Sequence, residues 1–524
     1  MSHIKKYFLS ILLAFPLMVS CQNKEKSETA KRPNILFCIA DDASFQHMGA
    51  YGLTKWVNTP HFNRVANDGV LFLNAYTPNA KCAPSRSCIL TGLNPWQLEE
   101  AANHVPFFPE KFTSWMEDLE KQGYKTGFTG KGWSPGNPGE RDGVTRLLTG
   151  KMFNEKKLTA PTKNMSTTDY AANFQDFLNT REAGEPFSFW FGGHEPHRSY
   201  GFGSGLSTGN KKLSDIDRVP AFWPDNEVVR NDMLDYAFEV EYFDQNLGKI
   251  LSILEKNGEL DNTIVIVTSD NGMPFPRVKG HVYEYDNHLP LAVMWKDGIK
   301  TPHRKIEDFV SFIDLAPTIL EVAGVSNTKS TMHTMEGKSF LSILQSDKQG
   351  VVEQNRDHVL IGKERTDVGR PHDQGYPVRG IIKDGFVYTK NYEPTRWPAG
   401  NPETGYLDTD GSPTKTEILN GRRNGTDVKR WEISFGKKGG EELYHFATDF
   451  DAMTNLANDP KFAERKKELL AQMEAELKAQ KDPRMEGKGE IFDNYPYSEA
   501  KTRNFYDRMK KGEKMEAGWV SKTD

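Results

Sequence analysis

Three short polar clusters along the chain carry side chains of the kinds that bind ligands or transfer protons. They are Asp41-Asp42, the segment His194-Glu195-Pro196-His197, and Asp270-Asn271. Each cluster follows a run of apolar residues. Taken alone, Asp41-Asp42 could cap a helix and Asp270-Asn271-Gly272 could form a turn. Their joint meaning depends on whether the fold brings them together.

Four apolar runs predict strands that are buried on both faces. They cover residues 34–40, 186–191, 263–268 and 291–295. Helical stretches such as 114–122, 233–256 and 314–322 lie between them, so we expect an α/β fold with a large, mostly parallel central sheet. Ligands bind beyond the carboxyl ends of such strands. Three of the four strands end in a polar cluster, which places carboxylates, an amide and imidazoles at one end of one sheet.

The chain after about residue 350 predicts a smaller antiparallel α+β subdomain. Residues 378–382 and 385–389 form a hairpin-like pair, and residues 442–446 predict another strand. An amphipathic helix is predicted over 461–479, between two prolines. We therefore assign 32–365 to a catalytic domain, 366–485 to a C-terminal subdomain and 486–524 to a polar, loosely packed extension.

Length, charge and the N-terminus bound the broad class. The chain has 524 residues and a formal charge of −5, which does not suggest a basic face for nucleic acid, and its four cysteines are too few for a disulfide scaffold. Residues 1–21 resemble a bacterial lipoprotein signal that ends at Cys21, with an ordinary secretory peptide as the alternative. Residues 22–31 then form a polar tether. These features predict a protein of the periplasm or cell surface of a Gram-negative bacterium, with membrane contact only through a lipid on Cys21.

Residues 82–92, CAPSRSCILTG, form the most specific motif in the chain. The motif resembles the signature of the formylglycine-dependent sulfatases, and the resemblance extends from about Arg32 to Ala457. It implies the alkaline-phosphatase-like sulfatase fold and a sulfatase-maturing enzyme that oxidises Cys82 to formylglycine (3-oxoalanine). The alternative is a buried cysteine before a helix. Cys38 and Cys88 are interpreted as packing residues.

The same resemblance implies a divalent cation at the polar clusters. The ligand positions of the family are occupied here by Asp41, Asp42, Asp270, Asn271 and residue 82 itself. Hard oxygen donors with several carboxylates suit Ca²⁺, with Mg²⁺ as the alternative.

Sulfate transfer needs an oxygen nucleophile, cations beside the sulfate oxygens and an acid for the leaving group. The resemblance implies that one hydroxyl of the hydrated aldehyde at position 82 attacks sulfur and that the other later expels sulfate. Arg86, Lys131 and Lys279 match the cationic positions, with Arg277 as a competitor for the last one. His194 is the predicted leaving-group acid, and His197 is either a substrate contact or a structural residue.

One position departs from the family pattern. The family usually has a histidine two residues after the lysine, whereas Trp133 follows Lys131-Gly132 here. That histidine assists the diol and the release of sulfate. Either another histidine, such as His104, enters the site from a different loop, or the release step runs differently.

The segments around residues 192–198 and 270–276 resemble the heparan N-sulfatase (N-sulfoglucosamine sulfohydrolase) branch. The predicted substrate is therefore a sulfated saccharide of the glycosaminoglycan type. The alternatives are an O-sulfatase for sulfated galactose, N-acetylgalactosamine or N-acetylglucosamine, a phosphatase or phosphonate hydrolase of the same fold, and a non-catalytic glycan-binding lipoprotein. Recognition of the sugar is expected from loops outside the sulfate pocket. The candidate substrate contacts are His104, His197, His288, Arg370, His372 and Asp373.

Overall fold

The computed structural model describes Met1, residues 32–326 and residues 328–518. Residues 2–31, which hold the predicted signal segment with Cys21 and the tether, lie outside the described residues. The described residues from Arg32 to Gly518 form one compact unit, and the domain boundaries after residues 365 and 485 stay predictions. Within the described part of the chain, no helix is both long enough and apolar enough to cross a bilayer.

The strands fall into a large sheet, a smaller sheet and a two-stranded ribbon. In chain order they are β1 (Asn34–Ala40), β2 (Val70–Tyr76), β3 (Lys125–Gly130), β4 (Glu140–Arg141), β5 (Val144–Thr145), β6 (Lys151–Met152), β7 (Phe187–Gly192), β8 (Thr263–Ser269), β9 (Leu291–Met294), β10 (Arg304–Ser311), β11 (His358–Lys363), β12 (Val378–Lys383), β13 (Phe386–Asn391) and β14 (Glu441–His445). The large sheet has the order β10-β2-β9-β8-β1-β7-β3-β6, and the small sheet has the order β11-β12-β13-β14.

The helices surround both sheets. They are α1 (Pro60–Asn67), α2 (Cys82–Thr91), α3 (Trp115–Lys121), α4 (Tyr170–Leu178), α5 (Ser204–Ser207), α6 (Glu227–Lys256), α7 (Glu284–Asn287), α8 (Leu315–Val322), α9 (Leu341–Gln345), α10 (Pro413–Arg423), α11 (Val428–Phe435), α12 (Ala463–Ala479), α13 (Ile491–Asn494) and α14 (Phe505–Lys510). Short 3₁₀ turns link several of them.

The large sheet confirms the predicted α/β architecture and explains the continuous apolar runs. Alternate residues of β1 enter two different cores: Leu36 and Cys38 pack on one face, and Ile35 and Phe37 pack on the other. A strand covered by helices on both faces has no solvent side, so it shows no polar alternation. Cys38 and Cys88 are both fully buried, as expected for packing thiols.

One strand differs from the expected pattern. The predicted strand over 291–295 is present as β9, but it runs antiparallel to both of its neighbours, β2 and β8. The connection from β8 therefore does not need the helical crossover that a parallel pair requires. The sheet is mostly parallel rather than wholly so.

The small antiparallel sheet confirms the predicted hairpin and the third strand over 441–445. Helix α12 covers it through Leu469, Met473 and Leu477. The segment that follows is not loosely packed as expected, because Phe492 and Tyr497 are both 1 % exposed. Phe492 packs in the core of the small sheet, and Tyr497 packs in a separate cluster with Val105 and Val368.

Candidate active site

Four neighbouring parallel strands, β8, β1, β7 and β3, end at one edge of the large sheet. Asp270 follows β8, Asp41 follows β1, His194 lies just after β7, and Lys131 follows β3. Register in a parallel sheet brings such ends together. The structure therefore joins the three polar clusters that the sequence places far apart.

Cys82 is the first residue of α2 and is 2 % exposed. Its Sγ lies 3.5 Å from Asp41 Oδ1 and 3.9 Å from Asp42 Oδ1. The Asn271 amide nitrogen approaches the same sulfur to 3.7 Å. Burial raises the pKa of the Cys82 thiol well above its ordinary value, so the unmodified side chain is a neutral thiol at pH 7 and a weak nucleophile.

The residues around Cys82 fit a divalent cation. Ligand atoms of Asp41, Asp42, Cys82 and Asp270 all lie within 4.8 Å of one another. The side-chain Oδ1 of Asn271 is buried and makes no hydrogen bond, as expected of a ligand that needs an ion. Burial raises the pKa of Asp270 to about 7 even though Arg86 opposes the shift. A cation held by these oxygens would satisfy both the orphaned carbonyl and the crowded carboxylates.

Backbone geometry supports this cluster. Asp42 has a φ of 81°, which is uncommon for a residue with a side chain. Its backbone N–H donates to Asp270 Oδ1 at 3.1 Å. The turn after β1 is thereby fastened to the end of β8.

Three buried cations face the carboxylates. Arg86 is fully buried and donates to Asp270 Oδ2 at 2.8 Å, to Asp41 Oδ1 at 3.4 Å and to the Gly132 carbonyl at 2.8 Å. Lys131 Nζ lies 2.8 and 2.7 Å from the two oxygens of Asp41. Lys279 Nζ lies 2.7 Å from Asp42 Oδ2. Burial opposes the charge of Lys279, but the carboxylates of Asp410 and Asp42 hold its pKa well above the ordinary value.

The two histidines after β7 lie at the mouth of the site. His194 is exposed and lines a cavity of about 570 Å³ together with Asp41 and Lys131. Desolvation lowers the pKa of His194 to about 4, with Asp41 opposing the shift and Lys131 adding to it. His197 lies deeper, with Nε2 3.9 Å from Asp42 Oδ2, and its Nδ1 donates to the Arg198 carbonyl at 2.6 Å.

A second cavity, of about 240 Å³, contains Cys82, Lys131 and Lys279, and His104 is part of its wall. The structure thus brings His104 to the site from the loop after α2. Trp133 does not replace the missing histidine: its indole N–H donates to Ser87 Oγ at 2.8 Å and its ring packs against Phe108.

The wall of this second cavity also contains residues that the sequence analysis missed. They are Lys81, Asp367, Asp410, Tyr497 and Glu499. Asp410 accepts a hydrogen bond from Lys279 at 3.0 Å and is the partner that completes the Lys279 environment. Only Lys81, next to Cys82, had a local signal in the sequence, since the others come from distant loops.

Four of the predicted substrate contacts lie elsewhere. His288 is buried between Phe45 and Tyr76, and its Nδ1 pairs with Glu284 at 2.6 Å, so it is a core residue. Arg370 is buried against Asp408 and two backbone carbonyls.

His372 and Asp373 bind the C-terminal segment rather than lining either cavity. The backbone N–H of His372 donates to Asp507, and Asp373 accepts from the backbone N–H of Asn504. Arg277 is likewise structural, since it donates to the carbonyls of Ile433 and Ala452. Lys279, not Arg277, is therefore the third cation of the site, beside Arg86 and Lys131.

The arrangement matches a known family. The family model described as "Sulfatase" matches residues 33–325. The chain belongs to the sulfatase family. Human N-sulphoglucosamine sulphohydrolase is 28 % identical to this sulfatase over 83 % of this chain and 88 % of its own length. An N-acetylglucosamine-6-O-sulfatase of Bacteroides thetaiotaomicron is 25 % identical over 90 % of this chain and 91 % of its own length. An ulvan-active sulfatase of Formosa agariphila is 25 % identical over 90 % of this chain and 81 % of its own.

Solved structures show the same fold. One protein, in complex with its substrate D-glucosamine-2-N,6-O-disulfate, superposes with a TM-score of 0.61 at 20 % identity and covers 86 % of this sulfatase and 99 % of that chain. The phosphonate monoester hydrolase of Agrobacterium radiobacter superposes with a TM-score of 0.61 at 17 % identity over 86 % of this chain and 96 % of its own. The fold alone therefore does not separate sulfate from phosphonate chemistry.

Proposed function

We propose that this sulfatase hydrolyses sulfate from a sulfated saccharide, with N-sulfoglucosamine as the leading substrate class. One observation carries the proposal: Cys82 stands at the start of α2 within 4 Å of the Asp41 and Asp42 carboxylates, inside the motif of a family that oxidises this cysteine. The substrate class is supported by the human relative named N-sulphoglucosamine sulphohydrolase, which aligns over most of both chains.

The side chains around position 82 can bind a sulfate group. Formylglycine at position 82 would supply an oxygen nucleophile, and Ca²⁺ held by Asp41, Asp42, Asp270 and Asn271 would supply positive charge beside it. Lys131 and Lys279 line the same cavity as residue 82 and can neutralise sulfate oxygens. Arg86 lies behind them and keeps the carboxylates in place through its bonds to Asp41 and Asp270.

His194 is proposed to donate the proton to the leaving group. It stands at the mouth, beside the Asp41 and Lys131 side chains, where the sugar leaves. With a pKa of about 4, the free imidazole is neutral at pH 7. A bound sulfate is an anion, so its approach raises the pKa of His194 and allows protonation when substrate is present.

An O-sulfatase is the second candidate, supported by the similarity to the N-acetylglucosamine-6-O-sulfatase of B. thetaiotaomicron. The bond cleaved differs, but the anionic group held in the pocket is the same. Recognition of the sugar must therefore come from the outer cavity walls, which are formed by loops rather than by residues at the strand ends.

We further propose that the protein is a lipoprotein of the periplasm or cell surface, anchored through Cys21 and matured by an enzyme that acts on Cys82. Residues 1–21 support this through their basic start and short apolar run. Cys21→Ala should release the protein from the membrane fraction of its host without changing its activity; retention there would contradict the anchor.

The function is tested by incubating the mature enzyme with N-sulfoglucosamine, 6-sulfo-N-acetylglucosamine, and 4- and 6-sulfated galactose-type sugars, followed by ion chromatography of free sulfate. Cys82→Ala is the matched control. We expect release from one class of sugar by wild type and none by the variant. Hydrolysis of a phosphonate monoester without sulfate release from any sulfated sugar would contradict the proposal. Binding of a sulfated sugar without sulfate release would support the glycan-binding alternative.

A further inference from the structure

A histidine–aspartate pair lines the cavity that contains Cys82. His104 Nδ1 lies 3.0 Å from Asp367 Oδ1, and both side chains are buried. Burial opposes ionisation of Asp367, yet Lys81 holds the pKa of this carboxyl at about 2, so it is a carboxylate. A carboxylate only accepts hydrogen bonds. The Nδ1 of His104 must therefore donate, which leaves the lone pair on Nε2.

The Nε2 atom of His104 is buried and makes no hydrogen bond. The residue lines the same cavity of about 240 Å³ as Cys82, Lys131 and Lys279. An unpaired lone pair at such depth is costly unless a ligand or water completes it.

The orientation of His104 is fixed from several directions. The backbone N–H of His104 donates to the Arg365 carbonyl at 2.9 Å. Lys81 Nζ lies 3.0 Å from Asp367 Oδ2, and the Tyr497 hydroxyl donates to Asp367 Oδ1 at 3.1 Å. Asp367 is therefore unable to turn away, and it holds the ring of His104 in one tautomer.

The other ionisable groups around this cavity are poor proton acceptors. Lys81, Lys131 and Lys279 are paired with carboxylates and carry protons. Asp367 is bound by Lys81 and His104, and Asp410 by Lys279. His197 is the exception, because its Nδ1 donates to a carbonyl and its Nε2 faces the Asp42 carboxylate, but its side chain is 32 % exposed rather than buried and also lines the cavity of His194. Glu499 is exposed at the mouth. The described residues leave His104 Nε2 as the one buried neutral base on this wall.

We propose that His104 is a catalytic residue that accepts the proton lost at position 82 when sulfate is released, and that Asp367 is its positioning residue. This inference rests on the proposed function. As the second hydroxyl at position 82 becomes a carbonyl, its O–H bond breaks and the proton moves to His104 Nε2. The bond between Cβ of residue 82 and the sulfate-bearing oxygen breaks, and its electron pair leaves with sulfate. Water then adds to the carbonyl and restores the diol with no net uptake of protons, and His104 releases its proton to solvent.

The charge environment agrees with a free base. Desolvation lowers the pKa of His104, and the cations of Lys81 and Lys279 add to the shift, while Asp367 opposes it. The imidazole is therefore neutral at pH 7 and available to accept a proton.

The test compares His104→Gln, Asp367→Asn and the control His445→Gln, a histidine at the end of β14, all matured like wild type. For His104→Gln, the first turnover should stay within about tenfold of wild type, whereas steady-state kcat should fall about 10²- to 10⁴-fold. Acid-quenched His104→Gln should carry an added sulfate mass that wild type lacks. A parallel loss of both phases, or an unchanged kcat, would overturn the proposal.

A second measurement does not depend on turnover. Nitrogen-15 NMR of wild type should show His104 with its proton on Nδ1, and Asp367→Asn should shift the proton to Nε2 and lower kcat similarly. A wild-type proton on Nε2 would overturn the assignment even if His104→Gln fails to fold. Absence of sulfate release by wild type overturns the proposed function as well, whereas wild-type release with normal kcat in both variants overturns only the role of His104.

Discussion

The site has two walls of different construction. The inner wall consists of residues that follow β8, β1 and β3, with Cys82 and Arg86 of α2, and its charges pair directly across distances of 2.7 to 3.4 Å. The outer wall consists of His104, Asp367, Asp410 and Tyr497, which come from loops and from the C-terminal segment. In the proposed function, the inner wall holds the sulfate end that all substrates of the family share. Apart from the His104–Asp367 pair, the outer wall is free to differ between family members.

The largest effect should come from breaking the inner wall. Arg86→Ala removes a fully buried guanidinium, which leaves the Asp270 carboxylate without its cation and leaves Asp41 with Lys131 alone. We expect the free energy of unfolding to fall by about 3–5 kcal/mol and activity to disappear. Chemical denaturation measures the first and sulfate release the second. Arg64→Ala, which breaks an exposed pair with Glu255, should cost at most about 1 kcal/mol; an equal loss in both variants would refute the contrast.

If the inner wall binds a divalent cation, removal of that cation should lower the free energy of unfolding. With free Ca²⁺ at about 100 times its Kd, the free energy of unfolding should exceed the chelated value by about 2.7 kcal/mol. Asn271→Leu should reduce this gain, because it deletes the orphaned carbonyl oxygen. Asp225→Asn, at an exposed pair with Arg230, is the matched control and should keep it. A wild-type protein whose stability ignores both Ca²⁺ and Mg²⁺ would contradict the site.

Replacement of His194, which lies at the mouth of the site between the two walls, should slow only substrates with a poor leaving group. His194→Ala should slow release of a sugar, a poor leaving group, by about 10²- to 10⁴-fold. An aryl sulfate whose phenol leaves without protonation should be slowed by less than about tenfold. Comparison of kcat on the two substrates measures the difference. Equal losses on both would assign the proton to another group.

The smallest effect is expected from a single hydrogen bond in the outer wall. Tyr497→Phe removes one hydrogen bond to Asp367, which should cost about 1 kcal/mol of stability and lower kcat by less than about tenfold. Tyr392→Phe is a matched control, since the Tyr392 hydroxyl is buried without a partner. Thermal unfolding and steady-state kinetics report both. A loss of activity as deep as that of Arg86→Ala would erase the distinction between the walls.

The inner wall could be predicted from the sequence because its residues follow strands directly. The apolar run 34–40 predicts β1 with its observed bounds, and Asp41 comes next in the chain. The resemblance of the CAPSRSCILTG motif to the sulfatase signature predicts Cys82 and Arg86. Strands such as β3, rich in glycine and threonine, were missed because they lack an apolar run.

The outer wall could not be predicted in the same way. Asp367 and Asp410 lie in loops without periodicity, and only tertiary packing brings them to Lys81 and Lys279. His288 was predicted to contact the sugar, but its ring stacks between Phe45 and Tyr76 in the core. His104 could be predicted only because Trp133 occupies the position where the family usually has a histidine, so that another histidine is expected in the site. The structure places His104 in the cavity with Cys82.

The proposed chemistry of this sulfatase depends on conversion of Cys82 to formylglycine. The most direct measurement is intact-mass and peptide mass spectrometry of protein matured in its native host, together with sulfate release by the same sample. We predict that the peptide containing residue 82 carries formylglycine and that activity scales with the converted fraction. An unmodified Cys82 thiol in a protein that releases sulfate at full rate would contradict the account.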